Sequence, residues 1–306
     1  MSVRVSVVIP VYNSAETIIR AVESVLCQDE SRIEIIVVDD GSMDGSAELL
    51  AARYPQQVIV IRQENRGAAA ARNRGIAAAR GEFVAFLDAD DEWVPGKLRL
   101  QTERMEANPE AALCFADMSH WEHGREVHSS YIRERGLGAC GGRIFDRLLR
   151  ECFIFTPTVV VRRGVLETVG PFDEGLRICE DYDLWLRIAE RFELVFVDAP
   201  LLKRHRTGAN LTGDRLLYAQ SSIALFERLL AGQKGNRERE RIIVSQLADA
   251  HRNVAYHYRE AGELHQSQTH YLKSWRLRRS FRTLKGWLAC LQARLHSKCS
   301  VKRNVT

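Results

Sequence analysis

Several features that define other classes of protein are absent from this sequence of 306 residues. No run of 18 or more apolar residues occurs, so we expect no membrane-spanning helix. The apolar run from Val5 is too short for a signal-peptide core and ends at Pro10, which predicts a cytoplasmic protein. The seven cysteines are odd in number and include no C-x-x-C pair, so reduced thiols are expected instead of zinc or disulfide sites. Neither G-x-G-x-x-G after the first apolar run nor G-x-x-x-x-G-K-[ST] is present, which disfavours Rossmann dehydrogenases and P-loop enzymes.

Acidic residues are also missing from one end of the chain. Residues 271–306 contain ten Lys or Arg and no Asp or Glu, although the whole chain has a net charge of only +4. The remaining residues are therefore net acidic. A basic segment on an acidic body favours an anionic surface as partner.

The first 100 residues alternate between apolar runs and amphipathic segments. Strands are predicted at 5–11, 33–38, 58–61 and 82–87, and helices at 14–26, 46–54 and 67–79. This order predicts an α/β fold with a mainly parallel sheet flanked by helices. Ligands of such sheets bind beyond the carboxyl ends of the strands.

Polar motifs occur at these strand ends. They are Tyr12-Asn13 after the first strand, Asp39-Asp40-Gly41-Ser42 after the second and Asp88-Ala89-Asp90-Asp91 after the fourth. Three carboxylates within four residues repel one another and favour a hard divalent cation such as Mg²⁺ or Mn²⁺. A solvated acidic turn that caps the next helix is the alternative.

Other polar residues have both a functional and a structural interpretation. Asp39 and Asp40 could accept hydrogen bonds from a ribose or a base, or they could cap a turn. Arg66 and Arg72 could neutralise a diphosphate, or they could be surface residues of a helix. The pair Glu180-Asp181 lies just before a predicted helix at 182–190 and could supply a general base or only an N-cap.

The later part of the chain is mixed and then helical. Residues 106–212 include predicted strands at 159–161 and 194–197. From 213 onward the pattern predicts a helical region, with helices at 216–230, 241–261 and 264–277. The last two form a helical hairpin, which we interpret as an appendage for docking or packing.

Six motifs in this order resemble glycosyltransferase family 2, whose members have the A-type glycosyltransferase fold. The resemblance spans residues 3 to about 210 and rests on segments 5–13, 36–42, 65–73, 81–91, 170–174 and 180–185. It implies a catalytic domain over 1–212, with a nucleotide-binding half at 1–105 and an acceptor-binding half at 106–212. Residues 213–306 would then be a helical, basic extension.

The resemblance also implies an inverting transfer of a sugar from a nucleoside-diphosphate donor, most commonly a UDP-sugar, to an acceptor hydroxyl. Asp181 corresponds to the catalytic base, next to Glu180. Asp88 and Asp90 correspond to the D-x-D pair that binds ribose and metal, with Asp90 as the preferred direct ligand. His205 lies where related enzymes place a residue over the diphosphate, and it is a further metal-ligand candidate; an exposed basic loop is the alternative. The implied donor site comprises Pro10, Tyr12, Asn13, Asp39, Asp40, Arg72, Asp88, Ala89, Asp90 and His205.

The Q-x-x-R-W motif of processive synthases is missing, so we expect addition of a single sugar. The acceptor is expected to be a glycan or a lipid-linked molecule in cell-surface polysaccharide or glycolipid assembly. Two alternatives remain: an inactive sugar-nucleotide-binding scaffold and a nucleotidyltransferase.

The basic end, residues 271–303, interleaves aromatic and aliphatic residues with its cations. It could form a helix in the interface of an anionic membrane, which would make the protein peripheral to that membrane. It could instead pack Trp275 and Trp287 on the body of the protein. Binding of nucleic acid is not expected, because no nucleic-acid motif accompanies the charge.

Overall fold

The structure is a computed structural model that describes residues 2–138, 140–206 and 214–303, with side chains up to residue 294. The chain divides into two compact units, residues 1–210 and 211–306. The domain boundary predicted between residues 212 and 213 lies outside the described residues.

Nine strands of the first unit form one sheet in the order β3-β2-β1-β4-β8-β6-β9-β5, with β7 paired to β6. Strands β1 to β4 are parallel neighbours, β8 is antiparallel to both β4 and β6, and β6 runs parallel to β9. The predicted α/β fold is confirmed, and its first four strands are parallel to one another. The strands are β1 (Val5–Val11), β2 (Ile33–Asp39), β3 (Val58–Arg62), β4 (Phe83–Phe86), β5 (Glu92–Trp93), β6 (Ala111–Glu122), β7 (Arg125–His128), β8 (Val160–Arg162) and β9 (Glu193–Arg206).

Helices connect these strands and cover the sheet. Strand β1 is buried along nearly its whole length, as expected for a parallel strand covered on both faces. Gly75 allows one helix to approach this strand closely, because a Cβ at this position would lie 2.3 Å from Cγ1 of Val8. The helices are α1 (Ile18–Leu26), α2 (Ser46–Arg53), α3 (Ala68–Ala78), α4 (Lys97–Glu106), α5 (Tyr131–Glu134), α6 (Phe145–Leu148), α7 (Arg163–Val169) and α8 (Glu180–Arg191), with a 3-10 turn at Thr156–Thr158.

Two element boundaries of the first unit differ from the prediction by four residues or more. Helix α1 begins at Ile18 and not at Ser14, because the backbone N–H groups of Ser14 and Ala15 donate to Ser46 and Asp44 across the neighbouring turn. The strand predicted at 194–197 continues to residue 206. Its polar end is typical of a loop by sequence, but pairing with β6 extends it.

The second unit consists of helices. The predicted helices are present as α9 (Arg215–Gly232), α10 (Arg237–Glu260) and α11 (Leu264–Leu277), and α12 (Phe281–Arg303) follows. Helix α10 begins four residues before its predicted start because Asn236 caps it, accepting a hydrogen bond from the Arg239 N–H. A small core contains Ala255, Tyr271 and Cys290, against which Trp287 packs. No helix within the described ranges is both long and apolar enough to cross a membrane.

Candidate active site

The loops after β1 and β2 are fastened to each other at the carboxyl edge of the sheet. Asn13 has a left-handed backbone, with φ of 48°. Its N–H donates to Oγ of Ser42 and its Oδ1 accepts from the N–H of Met43, both over 2.9 Å. This two-way link leaves the ring of Tyr12 54% exposed beside Pro10. An exposed aromatic ring at this edge can stack on a nucleotide base.

The two aspartates at the end of β2 are buried and hold backbone. Oδ1 of Asp39 accepts from the N–H of Ser42 over 2.9 Å, which closes the turn after β2. Asp40 accepts hydrogen bonds from the N–H groups of Arg66 and Gly67 at 2.9 and 2.8 Å, and from Nε2 of Gln63 at 2.8 Å. Asp40 therefore shapes the loop that leads into α3. Both aspartates thus hold the backbone of turns, which is the structural alternative that the sequence offered. Their contact with a nucleoside stays a prediction.

Arg72 joins the acidic motif after β4 to the acidic pair that starts α8. Its guanidinium donates to Oδ1 of Asp88 and to Oε1 of Glu180, each over 2.8 Å. The side chain is buried and lies over the ring of Phe172, 5.5 Å from its centroid. Burial lowers the pKa of Arg72, but the charges of Asp88 and Glu180 outweigh this effect and raise it. Arg72 is thus a permanent cation between two carboxylates that are far apart in sequence.

Burial and neighbouring carboxylates raise the pKa values of Asp90 and Asp91, the other two acidic residues of the motif. Asp90 is partly exposed, and burial together with the charge of Asp88 raises its pKa. Asp91 is buried, and its pKa is raised well above the usual value by burial and by Asp90 and Asp88. Its Oδ1 accepts a hydrogen bond of 3.0 Å from the N–H of His205 in β9. Asp91 therefore anchors β9, whereas Asp88 and Asp90 are the more open pair.

The acidic motif fits a two-carboxylate cation site. Among the residues that the structure describes, no three His, Cys, Asp or Glu side chains form a metal-binding group. Nε2 of His205 lies 3.5 Å from a carboxylate oxygen of Glu92. Burial lowers the pKa of His205. Asp88 and Asp90, separated by the buried Ala89, provide oxygen donors whose mutual repulsion a cation would relieve. This donor set suits Mg²⁺ or Mn²⁺, which retain positions for substrate phosphates.

The acidic pair at the start of α8 has raised pKa values. Asp181 accepts hydrogen bonds from Oγ1 of Thr156 at 3.1 Å and from the N–H of Tyr182 at 2.7 Å. Burial raises the pKa of both acidic side chains, while the nearby charge of Arg72 opposes the rise. The side chain of Asp181 remains partly exposed. A reachable carboxylate with a raised pKa is suited to accept a proton from a hydroxyl.

Two supporting residues have roles that the sequence did not predict. Nδ2 of Asn73 donates to the carbonyl of Phe172, and Oδ1 of Asn73 accepts from the Phe172 N–H, both over 2.9 Å. Phe172 packs edge to face on Phe86 and Trp185, with centroid distances of 5.3 and 6.1 Å. Thr156, which orients Asp181, precedes β8 and carries no motif signal. The motif segments that contain Asn73 and Phe172 were visible in the sequence, but their mutual contact was not.

The fold of the first unit, with acidic groups at the carboxyl edge of its sheet, is the A-type glycosyltransferase fold. Residues 6–170 match the family model described as Glycosyl transferase family 2, so the chain belongs to that family. The predicted family is confirmed, and the nucleotidyltransferase alternative does not fit this family.

Known proteins show similarity over most of the chain. An uncharacterized glycosyltransferase of Rickettsia conorii is 34% identical over 229 residues, which are 74% of this chain and 37% of that protein. The chain thus spans little more than a third of the length of this relative. The Escherichia coli UDP-Glc:alpha-D-GlcNAc-diphosphoundecaprenol beta-1,3-glucosyltransferase WfaP is 32% identical over 189 residues, covering 61% of this chain and 70% of WfaP.

A solved structure supports the fold over a longer range. The mannosyltransferase PcManGT from Pyrobaculum calidifontis, in complex with GDP-Man and Mn²⁺, has a TM-score of 0.64 at 19% identity. The similarity covers 96% of this chain and 81% of the mannosyltransferase. At this level of identity, the comparison supports the fold alone.

Proposed function

We propose that this protein is an inverting, non-processive glycosyltransferase that moves a hexosyl or N-acetylhexosaminyl group from a UDP-sugar to an acceptor hydroxyl. The observation that carries the proposal is the bridge from Asp88 through Arg72 to Glu180, with both ion pairs at 2.8 Å. This bridge links the proposed donor-binding carboxylates to the helix that bears Asp181. An enzyme that transfers a sugar in one displacement needs these two sets of groups in one place.

In the proposed reaction, Asp181 takes the proton of the acceptor hydroxyl. The acceptor oxygen then forms a bond to the anomeric carbon while the bond from that carbon to the diphosphate oxygen breaks. The bonding electrons leave with the diphosphate, and the configuration at the anomeric carbon inverts because the acceptor oxygen attacks from the face opposite the diphosphate. The raised pKa of Asp181 supports this role, because a base is most effective when its pKa approaches the working pH.

The proposed donor site lies at the carboxyl edge of β1, β2 and β4. Tyr12 would stack on the base, next to Pro10 and Asn13, and the turns held by Asp39 and Asp40 would surround the nucleoside. Asp90 and Asp88 would hold a Mn²⁺ or Mg²⁺ ion, which supplies positive charge for the departing diphosphate. PcManGT, which shares this fold, was solved in complex with Mn²⁺. His205 would approach the diphosphate from β9.

The proposed acceptor is a glycan or a lipid-linked molecule in polysaccharide or glycolipid assembly. WfaP, by its name, uses UDP-Glc and a sugar on diphosphoundecaprenol. The ten cations of residues 271–306 support peripheral contact with an anionic membrane that carries such acceptors.

The first test separates donor binding from catalysis. Thermal unfolding is measured with UDP, GDP, dTDP or CDP, each with and without Mn²⁺. Binding to the folded state alone raises its stability by about 2.7 kcal/mol at a hundredfold excess over the dissociation constant. We expect a Mn²⁺-dependent shift with UDP that is lost in Asp90→Ala and retained in Asp181→Asn.

Sugar transfer is then measured with the nucleotide sugar whose base gave the shift. Asp181→Asn should reduce turnover by about 10²- to 10⁴-fold, whereas Asp198→Asn, a matched change at an exposed aspartate, should leave it unchanged. Full transfer by Asp181→Asn would refute the assignment of the base. A nucleotide shift without donor hydrolysis or transfer by the unmodified protein would indicate the binding scaffold instead.

A further inference from the structure

A cationic cleft occurs within the second unit, among α10, α11 and α12. Its volume is about 310 Å³. Four of its lining side chains are cationic, and no lining residue is acidic. The four cations are Arg252, Arg259, Arg282 and Lys285.

Two of these cations have no carboxylate partner among the residues whose side chains the structure describes. Arg252 pairs with Asp249 at 2.5 Å, and Arg259 pairs with Glu260 at 3.1 Å. Arg282 and Lys285 are exposed on α12, and neither pairs with a carboxylate of the described chain. The cleft therefore has uncompensated positive charge, which favours an anionic ligand.

A hydroxyl group adds a hydrogen-bond donor to the lining. Tyr271 is only 3% exposed and packs against the backbone of α12 at Gly286. A Cβ at Gly286 would lie 2.4 Å from Cζ of Tyr271 and 2.7 Å from its hydroxyl oxygen, so this approach requires glycine. The Tyr271 hydroxyl makes no hydrogen bond to another residue for which the structure describes side chains. It is therefore available to a ligand in the cleft.

We propose that this cleft binds a phosphate group, in the form of a phosphomonoester or a diphosphate. Guanidinium and ammonium groups form strong, charge-assisted hydrogen bonds to phosphate oxygens, and the tyrosine hydroxyl can donate to the same oxygens. The site uses no residue of the first unit. It therefore goes beyond the proposed transferase and does not depend on it.

The surface next to the cleft indicates that the phosphate belongs to a lipid headgroup. Phe281, Leu284, Leu288 and Leu291 follow one another at intervals of three or four residues, so they share one face of α12. All four are exposed, and Phe281 is 80% exposed. An apolar helix face next to cations is typical of a helix that lies in the interface of an anionic bilayer.

Vesicle binding by the full chain tests this proposal. Vesicles of phosphatidylcholine alone or with phosphatidic acid, a phosphomonoester lipid, are sedimented with the unmodified protein and two double variants. Arg282→Gln with Lys285→Gln removes two cleft cations, and Arg276→Gln with Arg279→Gln removes two exposed cations outside the cleft. We expect binding to phosphatidic acid to weaken at least about tenfold in the cleft variant and less than about threefold in the control. Tyr271→Phe should weaken binding by a smaller factor, and inorganic pyrophosphate should compete.

Equal weakening by the two double variants would overturn the proposal, because net charge alone would then explain binding. Absence of binding to both phosphatidic acid and pyrophosphate would also overturn it. Pyrophosphate binding that depends on Arg282 and Lys285, without vesicle binding, would support the phosphate site and identify a free phosphate compound as its ligand. Cooperative thermal unfolding of both double variants without ligand shows that they fold, and their thermal shift with UDP separates this result from any failure of the donor site.

Discussion

Replacement of Arg72 by Met should destabilise the first unit while keeping most of the buried side-chain volume. The guanidinium donates two hydrogen bonds of 2.8 Å, one to Asp88 and one to Glu180. In Arg72→Met both carboxylates lose their cation. The charge of Asp181, which also acts on Arg72 and Glu180, is then left without compensation.

The expected loss follows from the burial of the three groups. Removal of one partner of a buried ion pair costs about 3–5 kcal/mol. The side chains of Arg72 and Glu180 are 7% and 12% exposed, but that of Asp88 is 33% exposed, so water compensates part of its lost pairing. We therefore expect a decrease of about 3 kcal/mol in the free energy of unfolding, near the lower end of that range.

The loss should depend on pH. Arg72 lowers the pKa of Glu180 and Asp181, so its removal raises both pKa values further. A carboxyl group whose pKa is higher in the folded state than in the unfolded state favours folding while it is protonated, and this contribution disappears as the pH rises through the folded pKa. Arg72→Met should therefore be most destabilised at pH 8 and less so at pH 5.

Urea unfolding of the unmodified protein and of Arg72→Met at these two pH values measures the effect. The double variant Arg72→Met with Glu180→Gln should recover at least about 1 kcal/mol at pH 8, because one uncompensated charge is removed. A loss below about 1 kcal/mol, or an equal loss at both pH values, would refute the view that Arg72 compensates these carboxylates.

Three further substitutions test the packing around the site. Nζ of the buried Lys97 has no hydrogen-bond partner among the described residues, and burial lowers the pKa of Lys97 to about 7. The unfolded state then binds the proton more tightly than the folded state. The unmodified protein should therefore gain stability as the pH rises from about 7 towards 10. Lys97→Met should remove this pH dependence and should be about 2 kcal/mol more stable than the unmodified protein at pH 7 in urea unfolding. Gly75→Ala places a Cβ 2.3 Å from Cγ1 of Val8 and should cost about 1–3 kcal/mol, seen as a lower Tm. Asn73→Ala removes both hydrogen bonds to the backbone of Phe172 and should cost about 2 kcal/mol in urea unfolding.

For each of these substitutions, one result would contradict the expectation. A less stable Lys97→Met variant would show that the lysine is charged and stabilised by the ring of Trp93, which lies 4.0 Å away. An unchanged Tm for Gly75→Ala would show that α3 and β1 can move apart without loss of stability. Unchanged stability of Asn73→Ala would mean that water replaces both hydrogen bonds.

The elements of the first 100 residues were predictable because their signals are local. Four runs of apolar residues predicted β1 to β4, and polar motifs followed β1, β2 and β4 at the carboxyl edge of the sheet. The start of α1 and the polar end of β9 were not predictable. In both cases hydrogen bonds to a distant segment decide the conformation: Asp44 and Ser46 for α1, and β6 for β9.

The sequence by itself determined the fold class, the family and which motifs meet the carboxyl edge of the sheet, since these depend on the order of apolar runs and on short motifs. Only the tertiary structure decided how the acidic groups are paired. Arg72 stands 16 residues before Asp88 and 108 before Glu180, and the distances among them depend on how α3 and α8 pack on the sheet. The cationic cleft is a tertiary feature for the same reason, because three helices bring its side chains together. Local patterns specify the elements, whereas contacts between distant elements specify the charges that each side chain experiences.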